Sequence, residues 1–101
     1  MGLFKKNKKG TPLKELLEFN GKSLSYAVER IDGNEIVLGK SGAITVTENE
    51  IVIVCDGKEV FRCVTQGAVI AVLMSGNGCD IKGIDNDGTK RHVVAHFASL
   101  R

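Results

Sequence analysis

From residue 23 onward the chain is broken by short polar turns, and their spacing limits what it can fold into. Asp32-Gly33-Asn34, Ser41-Gly42, Glu48-Asn49, Asp56-Gly57, Ser75-Gly76-Asn77-Gly78 and Asn86-Asp87-Gly88 separate apolar runs. They recur about every eight to twelve residues, the rhythm of an all-β sandwich or barrel. Most contain a glycine, which accepts the positive φ of a tight hairpin turn. Glycine occurs twelve times and proline once. Parallel strands need crossovers of about a dozen residues or more, so connections this short dictate an antiparallel meander.

The apolar runs place strands near 23–32, 35–40, 43–48, 51–55, 58–65, 68–75, 79–85 and 89–98. Leu24, Tyr26 and Val28 alternate with polar or small residues, and Ile44 and Val46 alternate with Thr45 and Thr47, which is the period of a half-buried strand. About eight short strands fit a roll or partly closed barrel, and closure removes exposed strand edges. One short helix precedes them. Thr11 is positioned to cap it, Pro12 suits its first turn, and Leu13, Leu16 and Leu17 form one apolar stripe before Gly21 stops it. A helix of about two turns cannot stand alone, so it is expected to cover an open end or face of the roll.

Two places depart from simple alternation. Ala68–Met74 is apolar throughout and reads either as a strand buried on both faces or as a short buried helix. The β-branched Val69, Ile70 and Val72 favour strand. In 79–85, Cys79 and Ile81 share one face while Ile84 falls on the other, which a bulge at Gly83 would restore.

A chain of 101 residues makes one domain. We divide it into a flexible basic leader, 1–10, and a single β-rich domain, 11–101. Four of the fourteen basic residues, Lys5, Lys6, Lys8 and Lys9, lie in the leader with no acid. The remainder carries ten basic against twelve acidic residues, which does not describe a nucleic-acid binder. Single-strand binders also need aromatic platforms, and Tyr26 is the one amphipathic candidate. The leader has no apolar stretch of signal-peptide type, and the three cysteines are an odd number. The expected setting is cytoplasmic, with free thiols.

No motif assembles a catalytic centre. Cys55 and Cys63 flank the Asp56-Gly57 turn, but Cys55 should face Lys58, leaving Cys63 roughly 16 Å along the partner strand and on the opposite face. A disulfide needs Cα atoms within about 7 Å. His92 and His96 would share a helix face, but on a strand they stand about 13 Å apart, too far for one metal ion. Asp85-Asn86-Asp87-Gly88 fails the calcium-loop pattern, since Gly83 and Val94 fall where acids are required, and it reads as a hairpin turn. Neither catalytic residues, metal ligands nor a cofactor are expected.

The strand count and turn chemistry across about residues 23–98 resemble small bacterial roll domains of the pleckstrin-homology-like kind. Those domains are usually closed by a C-terminal helix, whereas the helix signal here lies in front. The resemblance implies architecture and carries function only by analogy. A non-enzymatic protein-interaction or oligomerisation module is the expected function, with a protein partner or self-association and no nucleic acid. The alternative is a peripheral binder of anionic membrane surfaces through Lys5, Lys6, Lys8 and Lys9, assisted by Arg30 or Lys40.

Overall fold

A computed structural model describes residues 10–98. One short helix, α1 (Leu13–Leu17), precedes seven strands: β1 (Ser23–Ile31), β2 (Asn34–Val46), β3 (Glu50–Cys55), β4 (Lys58–Val64), β5 (Val69–Val72), β6 (Gly78–Ile84) and β7 (Lys90–Phe97). They form one antiparallel sheet in the order β4-β3-β2-β1-β7-β6-β5. The two edge strands, β4 and β5, are consecutive in sequence. The few residues between Val64 and Val69 span well under 20 Å, so the sheet must curl until its edges approach. It does so without closing, and β4 meets β6 where Cys63 packs against Gly83.

The fold is the expected mainly β roll, with local differences. Segments 35–40 and 43–48 run together as the single strand β2, which makes seven strands. Ser41 takes a φ of 50°, and its carbonyl accepts the Asp56 N–H at 3.2 Å, so the chain bends there without reversing. Gly83 forms no bulge, for the β6–β7 register runs unbroken from Gly78–His96 to Ile84–Lys90. Gly83 faces inward, where an added Cβ would sit 2.6 Å from the Cys63 sulfur, and Ile84 is left exposed. Within 68–74 a strand forms at the sheet edge. Ala68 and Ile70 are buried, while Val72 and Met74 face solvent, so it is not covered on both faces.

The core gathers Leu24 and Ala27 of β1, Ile44 and Val46 of β2, Ile51 and Ile53 of β3, Phe61 of β4, Ile81 of β6 and Val93 and Ala95 of β7. Leu16 of α1 enters it completely. Thr11 does not cap the helix. Its hydroxyl accepts the Ile70 N–H at 3.0 Å and its own N–H donates to the Ala68 carbonyl, which covers part of the β5 edge. No helix among the described residues is long and apolar enough to cross a membrane.

Cys55, Cys63 and Cys79 are free and buried. Cys55 does pair with Lys58, but a register shift at Ile53/Val54 returns Cys63 to the same inner face, opposite Ile51. The opposite-face expectation is therefore overturned by a β-bulge that alternation alone cannot reveal. Burial raises the Cys63 and Cys79 thiols to about 12 from 9.0. Their folded-state affinity for the proton is thus higher than in the unfolded chain, and the stability this contributes is complete below about pH 9 and lost as pH rises towards 12. Urea melts between those limits should show a falling midpoint. At neutral pH a thiol reagent should label the native protein only at the rate of its opening, and rapid stoichiometric labelling would contradict this burial.

Candidate functional site

The first distinctive surface lies on the β1–β2 hairpin. Asp32 and Gly33 both take positive φ, 51° and 84°, giving a two-residue turn closed by the Ile31–Asn34 pair. β3 pairs with β2 only over Gly42–Val46, so residues 34–39 have β1 on one side and, among the described residues, no strand on the other. Asp56 ends this gap by accepting the Lys40 N–H at 3.0 Å. Hydrogen-bonding direction alternates along an antiparallel ladder, and counted from the turn it directs the N–H and C=O of Glu35 and Val37 outward. Around this edge Ile31, Ile36 and Val37 are 45%, 51% and 56% exposed.

The second lies where β1, β6 and β7 reach the same end of the roll. Arg91 grips Glu29 through two hydrogen bonds, at 2.5 and 2.7 Å, and reaches Asp85 at 3.4 Å. Its guanidinium also lies over the Phe61 ring, 5.2 Å from the centroid, which ties β4 to β7. The Asp85 carboxylate accepts N–H groups from Thr89 and Asp87, and these with Arg91 hold its pKa below the usual value. Beside this network is a depression of about 300 Å³ lined by Arg30, Gly67, Val69, Lys82, Gly83, Lys90, Arg91 and His92. Its lining contains no carboxylate. Lys82 and Lys90 have no ion-pair partner among the described residues.

The two histidines occupy one face of β7 and serve separately. His92 Nε2 lies 2.5 Å from Asp80 Oδ1, while His96 stacks on Tyr26 with centroids 4.2 Å apart. No group of three His, Cys, Asp or Glu side chains is placed to hold a metal among the described residues. The Tyr26–His96 stack borders a wide cleft of about 790 Å³ that also includes Lys22, Asn77 and Phe97. Tyr26 is thus engaged by a neighbour rather than standing as an open platform. The Asp85–Gly88 segment forms the expected turn, closed by Asp85 N–H donating to the Thr89 carbonyl.

No protein-family model matches this sequence, and no curated protein or solved structure matches it.

Of the residues singled out in sequence, Lys5, Lys6, Lys8 and Lys9 lie outside the described residues. Arg30 of β1 reaches the basic depression, and Lys40 lies on β2, opposite Tyr26. No sequence motif groups Lys82, Lys90 and His92. A signal existed, since a hairpin turning at Asn86-Asp87-Gly88 sets Lys82 opposite His92. Its meeting with Arg30 depends on the β1–β7 pairing, which no local pattern specifies. Ser41-Gly42 carries the chemistry of a turn and so conceals the continuous strand β2 and its free edge.

Proposed function

We propose that the protein is a non-enzymatic cytoplasmic interaction domain that self-associates through the free edge of β2. The carrying observation is the unpaired edge at 34–39 with Ile36 and Val37 exposed upon it. Three buried free thiols suit a reducing compartment. An open strand edge is a template for another strand, and an antiparallel edge pairs with its own copy about a twofold axis, so one surface serves both partners. Centred on Ile36, that axis sets Glu35 of each copy opposite Val37 of the other. Main-chain hydrogen bonds supply much of the attraction in such strand addition. The small apolar area makes the dimer weak, with Kd on the order of micromolar to millimolar.

Sedimentation across a concentration series should show a rise from monomer towards dimer, with the Glu35 and Val37 amides gaining exchange protection. Val37→Lys places a charge on an exposed edge position and should hold the chain monomeric while its fold persists. A chain that stays monomeric throughout, or a variant that dimerises as well as the parent, would defeat the proposal.

The alternative role, peripheral binding to anionic surfaces through the leader lysines, is favoured by the place where the leader joins the body. Gly10 lies against Gly67 and Ala68, so close that a Cβ on it would fall 2.8 Å from the Gly67 carbonyl carbon. Gly67 lines the basic depression.

A further inference from the structure

We propose that the depression between Arg30, Lys82, Lys90 and His92 is a binding site for a phosphate group, independent of the β2 edge and of the leader. Register brings these residues together. His92 pairs with Lys82, and continuation of the β1–β7 ladder beyond Glu29–Val93 sets Arg30 beside His92. Neighbouring strands lie about 4.8 Å apart, so three cationic or protonatable side chains rise in one row across roughly 10 Å. Lys90 extends the group at the turn end of β7.

The nearby acids are already occupied. Glu35 holds Arg30, Asp80 lies on His92 Nε2, and Glu29 and Asp85 hold Arg91. That leaves Lys82 and Lys90 exposed, with no carboxylate partner among the described residues, in a depression whose neighbouring acids are each engaged by another cation or by His92. A bound anion offsets the mutual repulsion of these cations. A phosphate offers the guanidinium of Arg30 a planar, two-pronged contact and the lysines point-charge contacts. The volume, about 300 Å³, holds a phosphate with a small organic substituent rather than a folded partner.

The same phosphate could be free in solution or carried by a lipid headgroup, and the experiment separates the two. The full chain is titrated with inorganic phosphate at constant ionic strength while amide resonances are followed, then mixed with vesicles containing phosphatidic acid. Saturable shifts at Gly67, Lys82, Gly83, Lys90 and His92 are expected. The exposed double variant Lys82→Glu/Lys90→Glu should weaken phosphate binding roughly tenfold or more, as expected from reversing two charges. Lys58→Glu, which reverses a charge outside the depression, should bind like the parent. Phosphate binding without vesicle binding assigns a soluble ligand, and vesicle binding displaced by phosphate assigns a lipid headgroup; both support the site. Unsaturable shifts, or equal weakening by Lys58→Glu, overturn it. So does vesicle binding that the double variant keeps and deletion of residues 1–9 abolishes, which would leave the leader reading standing alone.

Discussion

Gly42→Ala should destabilise the protein by about 3–5 kcal/mol, at the severe end for one added methyl group. Gly42 sits within β2, paired with Leu24 of β1 on one side and Cys55 of β3 on the other. An added Cβ would stand 1.8 Å from the Val54 carbonyl oxygen and 2.8 Å from the Cys55 sulfur. The first obstacle is backbone in a paired strand, so no rotamer change relieves it and the β2–β3 ladder must separate. The glycine is needed for space rather than for an unusual φ. Gly88→Ala makes the contrasting control: Gly88 has a φ of 82° but nothing within 4 Å of a built Cβ. Its expected loss is about 1 kcal/mol, from backbone strain alone. Urea denaturation of both variants tests the distinction. Equal losses at the two positions would show that β3 does not lie where the structure puts it.

Leu16→Ala should cost about 2–5 kcal/mol, the range for truncating a fully buried leucine. α1 is five residues long and Leu16 is its one completely buried residue. Leu13 is half-buried and Leu17 is 40% exposed, so little else holds the helix to the roll. Too short to persist alone, the helix exists because Leu16 is buried in the same core cluster as Leu24 and Ile44. Leu17→Ala, one position along, should change stability by no more than about 0.5–1 kcal/mol. Comparable losses at 16 and 17 would mean that the helix docks by a different face. The loss can be read from the same urea midpoints.

Much of the roll was legible because its information is local. Asp32-Gly33 and Asp56-Gly57 announce two-residue turns, and both adopt the paired positive φ values such turns require. Alternation located β1 and the end of β2, and the Leu13/Leu16 spacing located α1. Ser41-Gly42 carried the same turn chemistry, yet Ser41 uses positive φ to bend a strand and Gly42 uses its bare Cα to admit the Val54 carbonyl. The face of Cys63 is concealed in the sequence for a related reason. A single inserted residue reverses every later side chain, and nothing about Val60 marks it as that insertion. Gly83 misleads in the opposite sense, because its partner Cys63 lies across the roll on β4. The candidate phosphate site divides similarly: Lys82 and His92 meet through a local hairpin, while Arg30 joins them through a distant pairing.

That distant pairing has a consequence for how the chain assembles. Five of the sheet's six ladders, those that join β1 through β4 and β5 through β7, are formed between sequence neighbours. The β1–β7 ladder is different, joining residues as far apart as Leu24 and Phe97. Two ribbons can therefore zip up from their own turns before either meets the other. The entropy of closing the large loop falls almost wholly on one seam. The completed roll is a clasp between two self-made hairpin ribbons, hinged at the short link from Val64 to Val69 and shut by β1 against β7.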